Sequence, residues 1–193
     1  MRFPITVLLL AATLTSAPAW SAWTLDNTRS RLTFVSIKNN DVAEIHRFEQ
    51  LSGHVADDGR ATVTIALDSL ETAIPIRNER MRDLLFDTAQ HKEATLTAQI
   101  DRAAIDKMAV GEVGELAGEG TLVLRGQAQP LTLRLQVAKV TPQLVVVASK
   151  EPLIVNAAPF GLNGAIEQLR EIAGLSSIGH TVPVTFVLTF VAP

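Results

Sequence analysis

Apolar and polar side chains alternate with period two from one end of the chain to the other, and this limits the possible folds more than any other feature. In RLTFVSIK, Leu32, Phe34 and Ser36 oppose Thr33, Val35 and Ile37; in ATVTIAL, Val63, Ile65 and Leu67 oppose Thr62 and Thr64. ATLTAQI sets Leu96, Ala98 and Ile100 against Thr95, Thr97 and Gln99, and PLTLRLQV sets Leu131, Leu133, Leu135 and Val137 against Thr132, Arg134 and Gln136. The last such run, VTFVLTF, carries Val184, Phe186, Leu188 and Phe190 on one face. Successive side chains of a strand point to opposite faces, so each run reads as a half-buried strand. Turn-forming residues separate the runs: ADDGR at 56–60, RGQAQP at 125–130, and Pro142. Short turns imply antiparallel pairing, because parallel pairs need long crossovers. The expected fold is mainly β, an antiparallel meander of about eight strands closing into a barrel, with a sandwich as the alternative.

Two segments break the alternation. IPIRNERMRDLLFDTAQHK, residues 74–92, has a helical pattern with Arg77, Arg80 and Arg82 in it. With Asn78 as N-cap, Met81, Leu84 and Leu85 share one arc, flanked by Arg80 and Arg82. A start one residue earlier puts Arg77 on the apolar arc, where a charge either snorkels or reaches a barrel rim or an acidic partner. AIEQLREIAGL, residues 165–175, places Ile166, Leu169, Ile172 and Ala173 at helical spacing, with Gly174 as its stop. GEVGELAGEG, residues 111–120, reads as a flexible loop leading into a strand. It has no phosphate-loop lysine, and its glutamates would repel phosphate.

Charge and residue usage exclude several functions. Lys+Arg number 17 against 20 Asp+Glu, a net charge of −3 with no dominant basic patch, so no nucleic-acid footprint is visible. There is no cysteine, hence no disulfide, thiolate metal site, cysteine nucleophile or lipoprotein anchor. The four histidines, His46, His54, His91 and His180, form no HxH or HExxH pair; only His46 and His54, on successive expected strands, keep a metal reading open. There is no GxSxG, and Ser176, Ser177 and His180 in LSSIGH read as loop residues. Catalytic residues, bound metal and cofactors are all expected to be absent.

The first residues, MRFPITVLLLAATLTSAPAWSAW, combine one arginine, a short apolar run and small residues at 17, 19, 21 and 22. This is the pattern of a secretory signal peptide, too short in its apolar run for an ordinary transmembrane helix. The expected domains are a leader at 1–21, cleaved near 19–22, and one barrel domain at 22–193, periplasmic and without a stable transmembrane anchor. A closed barrel of about eight strands can hold one small or elongated ligand, and its Leu, Ile, Val and Phe interior would favour an apolar one. A barrel filled by its own side chains is the alternative, and the pattern leaves the two open.

Several stretches together resemble the YceI-like family of periplasmic polyisoprenoid-binding proteins. WTLDNTRSRLTF, with Trp23, Asp26, Ser30 and Phe34, is similar to the family's opening; FEQLSGHVADDGRATVTIALDSLETAIPIRNERMRDLLFD resembles its next strands and arginine-rich helix. GEGTLVLRGQAQPLTLRLQV resembles its hairpin, turning at Gly126, and Phe160–Leu162 with IGHTVPVTFVLTF its closing segment. The resemblance implies an eight-stranded antiparallel lipocalin-like β-barrel with one or two short capping helices. Its lumen would take an isoprenoid or other apolar lipid, without catalysis, and a homodimer is plausible. Lipid contacts are expected at Phe34, Phe48, Met81, Leu84, Leu85, Phe160 and Phe186, and head-group contacts at Arg77, Arg80 and Arg82. The competing reading is an envelope stress or assembly protein with a solid barrel and an exterior protein-binding surface.

Overall fold

The computed structural model describes residues 23–192, so the expected leader at 1–21 lies outside the described residues. Twelve strand segments are present: β1 (Trp23–Leu25), β2 (Arg31–Lys38), β3 (Val42–Phe48), β4 (Leu51–Val55), β5 (Arg60–Ala66), β6 (Leu70–Glu71), β7 (Glu93–Gln99), β8 (Val113–Leu124), β9 (Gln127–Thr141), β10 (Leu144–Ser149), β11 (Leu153–Asn156) and β12 (Thr181–Val191). The helices are α1 (Pro75–Arg80), continued by the π-helical turn Met81–Phe86, then α2 (Arg102–Lys107) and α3 (Asn163–Ile172). None of these helices is long and apolar enough to cross a membrane.

Because four strands are interrupted, the segments amount to an eight-stranded barrel. β1 and β2 are split by a short 3-10 turn and both pair with β12; β3 and β4 pair in turn with β6 and β5; β10 and β11 both pair with β12. All pairings are antiparallel and follow chain order, and β12 returns to β1 and β2, which closes the barrel. Closure leaves no open sheet edge around the ring. The inward faces are those the alternation picks out: Leu32, Phe34, Val63, Ile65, Leu133, Val137, Phe186 and Phe190 are all buried.

Four local details differ from the sequence reading. Of residues 111–120, expected as a loop, 113–120 supply the first part of β8. Period two is present there, with Gly114, Leu116, Gly118 and Gly120 facing inward and Val113, Glu115, Ala117 and Glu119 outward, but three of the four inward positions are glycine and so hide it. A Cβ on Gly120 would lie 3.0 Å from Leu133 Cδ1 and 3.1 Å from the Thr97 carbonyl oxygen, so this close strand approach needs glycine. α2 was not anticipated, since six residues are too few to display a helical period. The first helix is capped at Ile74 with Pro75 in its first turn; Asn78 lies inside it, buried, and its Oδ1 accepts from Thr72 N at 2.8 Å and Thr72 Oγ1 at 2.5 Å. α3 begins at Asn163 and ends at Ile172, while Gly174, at φ +64°, closes it as expected.

The connections alternate between the two ends. One end carries α2, the 56–59 turn and the 142–143 turn. Asp101 caps α2 by accepting from Ala104 N at 2.9 Å. Arg102 pairs with Asp57 at 2.9 Å and lies 5.7 Å above the Trp23 ring. Ile105 points into the same buried core as Trp23 and Val137, so α2 plugs this end. The other end carries the β2–β3 turn, α1 with its π turn, the Arg125-Gly126 turn between β8 and β9, and α3. The cavities lie toward this second end.

Candidate functional site

Two adjoining compartments occupy the open half of the barrel. The inner one, of about 160 Å³, is walled only by hydrocarbon side chains, among them Leu32, Phe48, Phe86, Leu96, Leu122 and Phe186. The outer one, of about 340 Å³, lies between the β2–β3 hairpin, α1 with its π turn, and α3. Phe34, Leu85, Ile166 and Val182 wall both. The π turn is what directs Met81, Leu85 and Phe86 into the barrel together, all three being buried; such turns recur at functional sites.

The β2–β3 ladder grades this interior from apolar to polar. Leu32 faces Phe48, Phe34 faces His46, and Ser36 faces Glu44 on the way to the hairpin tip. The rings form a chain: Phe34 stacks on Phe48 at 5.5 Å, His46 tilts against Phe34 at 5.2 Å, and Phe86 meets Phe48 edge-on at 5.7 Å. The hairpin tip is tied to the exit of α3. Asn39 N donates to the Ser177 carbonyl oxygen at 2.9 Å, and Ser177 Oγ donates to Asn40 Oδ1 at 2.9 Å.

Charge at the mouth is only partly compensated, since Glu44 is the one carboxylate lining it beside Lys38, Arg77 and Arg80 among the described residues. Glu44 bridges Lys38 at 2.9 Å and Arg77 at 2.6 Å. Arg77 also donates from Nε to Thr72 Oγ1 at 2.9 Å and from Nη2 to the Thr72 carbonyl oxygen. The Lys38 hydrogen bond, helped by the Arg77 charge, holds the Glu44 carboxyl below its ordinary range. His46 is buried, and Ser36 Oγ lies 2.8 Å from its Nε2. Burial, reinforced by the nearby Arg77 charge, pushes the His46 imidazole below its usual value and keeps it neutral. Arg80 also faces the mouth and has no ion pair among the described residues.

The residues singled out from the sequence divide between the cavity wall and its surroundings. Phe34, Phe48, Met81, Leu85 and Phe186 wall the compartments, and Arg77 and Arg80 line the mouth. Leu84 is half-buried off the wall, and Phe160 is buried in the 3-10 turn Ala158–Phe160. Arg82 turns away, donating to the carbonyl oxygens of Asn78 at 3.2 Å and Asp68 at 3.1 Å. Of the alternatives left open for Arg77, which were snorkelling, a barrel rim or an acidic partner, the structure shows it at the mouth and paired with the acid Glu44. Sequence reasoning missed Glu44, Ser36 and His46 as a polar wall, although alternation already placed Ser36 on the inward face with Leu32 and Phe34. His54 is exposed while His46 points inward, so the structure does not bring the two together; no metal-ligating cluster converges among the described residues.

A closed antiparallel barrel, plugged at one end and hollow and apolar toward the other, belongs to the class of ligand-cavity barrels. The chain matches the YceI-like domain over residues 23–190. It is similar to the solved structure of a polyisoprenoid binding domain from Saccharophagus degradans implicated in plant cell wall breakdown, at 42% identity over 89% of this chain and 98% of that one, with a TM-score of 0.87. BcnA from Burkholderia cenocepacia shares the fold at 20% identity, over 86% of this chain and 98% of that one, with a TM-score of 0.67. No match was found among curated proteins. This chain belongs to the YceI-like family.

Proposed function

We propose that this protein binds a long-chain isoprenoid or other amphiphilic lipid without chemical turnover, as a carrier or scavenger in the periplasm. The observation that carries this reading is the inner compartment, walled by hydrocarbon alone and adjoining a mouth that gathers the polar groups. A barrel filled by its own side chains would lack that space. The polyisoprenoid binding domain at 42% identity supports the ligand class, and the leader-like sequence at 1–21 supports export.

The chain would be held by Phe34, Phe48, Met81, Leu85 and Phe186, gaining about 25 cal/mol per Å² of apolar surface buried, less the cost of ordering the ligand. The polar end would sit at the mouth. Lys38 and Arg77 share Glu44, and Arg80, which has no ion pair among the described residues, contributes a further cation there. Native mass spectrometry or solvent extraction of purified protein tests the reading. The expected result is one long-chain lipid per molecule; ligand-free protein that takes up no added isoprenoid would overturn it.

A further inference from the structure

His46 and Ser36 form a hydrogen-bonded polar pair in the wall of the mouth compartment, where the β2–β3 ladder passes from Leu32 and Phe48 to Glu44. His46 is only 3% exposed, and its Nδ1 is buried with no hydrogen-bond partner among the described residues. Its Nε2 has one partner, Ser36 Oγ at 2.8 Å, and Ser36 Oγ has no partner besides His46 among the described residues. Both residues line the mouth compartment.

The missing partner of Nδ1 decides the direction of the Ser36 hydrogen bond. A neutral imidazole carries one N–H. If that hydrogen were on Nδ1, a buried donor would go unmet, which is rarer and costlier than an unmet acceptor. The hydrogen therefore belongs on Nε2 and is donated to Ser36 Oγ. The serine then acts as acceptor toward His46, and its own hydrogen is left without an acceptor among the described residues. Because Ser36 lines the mouth compartment, that hydrogen is available to whatever fills it.

We infer that Ser36, held in orientation by His46, donates a hydrogen bond to an acceptor oxygen at the polar end of the bound lipid. This rests on the lipid-binding reading above and sharpens it to a ligand class: chains bearing an oxygen acceptor near one end, which need not be charged and need not donate. Ser36 is the contact and His46 the positioning residue.

Three matched probes test this: phytol, phytol methyl ether, which can accept but not donate, and the parent hydrocarbon phytene. The wild-type protein binds the alcohol and the ether about threefold to tenfold more tightly than phytene, the range one neutral hydrogen bond provides. Ser36→Ala removes that preference, so that the alcohol and the ether bind no more tightly than phytene to the same variant, while Ser36→Thr, which keeps a hydroxyl, restores it. His46→Gln, which keeps an N–H donor toward Ser36, retains more of the preference than His46→Phe. An ether bound no better than phytene, or a preference that survives Ser36→Ala, overturns the inference. If the wild-type protein binds none of the three, the lipid reading itself fails, and the Ser36 contact with it.

Discussion

At the α2 end of the barrel, Trp23, Ile105 and Val137 share one buried cluster, and Arg102 is fixed by Asp57 from the side and by Trp23 from below. At the α1 and α3 end, equally inward positions hold Phe34, Ser36, Leu85 and Ile166 around open space. Both ends are made by the same alternating strands. The difference comes from the connections: α2 drops Ile105 into the core and its cap holds it there, whereas the π turn after α1 sends Met81, Leu85 and Phe86 inward yet leaves open space between itself, α3 and the β2–β3 hairpin. Strand alternation defines an inside, and the connections determine how much of it is filled.

The largest expected contrast is in side-chain truncation. Ile105→Ala opens a hole in packed core and should cost about 2–5 kcal/mol in denaturant unfolding. Leu85→Ala, on a wall that already faces space, should fall at or below the lower bound of that range. Equal costs at the two sites would mean that the mouth end is packed as tightly as the plug. Next in size is Arg102→Ala, which strands Asp57 and uncovers Trp23. A loss of about 1–3 kcal/mol is expected, with lipid uptake unchanged.

Acid should separate the ends by a smaller amount. The folded protein holds the His46 imidazole below its ordinary value of 6.5, so the unfolded chain takes up the proton first. The stability linked to His46 is complete above about pH 6.5 and drains away as pH falls below it. Glu44, also held low, gives stability that is present above its ordinary 4.5 and lost as pH falls further. Melting temperature measured from pH 7 to pH 5 should fall more steeply in the wild type than in His46→Gln; parallel curves would remove His46 from the acid response. The smallest effect belongs to Arg80→Ala. It should change stability by less than about 0.5 kcal/mol, because Arg80 is uncommitted, while weakening binding of an anionic isoprenoid relative to an uncharged one.

The sequence made the strands and their inward faces legible because alternation is local: Leu32 and Phe34, or Phe186 and Leu188, advertise a half-buried strand from their immediate neighbours. The first half of β8 escaped because three of its four inward positions, Gly114, Gly118 and Gly120, are glycines, which carry no hydropathy signal even though the backbone alternates. α2 escaped because it is shorter than two helical turns. The site was legible where it is aromatic and aliphatic, as at Phe34, Phe48, Met81, Leu85 and Phe186. Its polar wall was not, since the contact of Glu44 with Arg77 spans 33 residues and depends on where α1 lands. Arg82 shows the converse: the same helical arc that brings Arg80 to the mouth turns Arg82 toward backbone carbonyls, and only the packed helix tells the two apart.

The central claim is that the hollow end of the barrel holds an apolar chain, and filling that space tests it most directly. Ala94, buried on the wall of the inner compartment, is the position for Ala94→Trp, with circular dichroism to confirm the fold and Leu96→Trp as a second filling variant. Native mass spectrometry after incubation with phytol should show one chain on the wild-type protein and none on either folded variant. Equal loading of the wild-type protein and a folded, filled variant would contradict the account, because the lipid would then be bound somewhere other than the lumen.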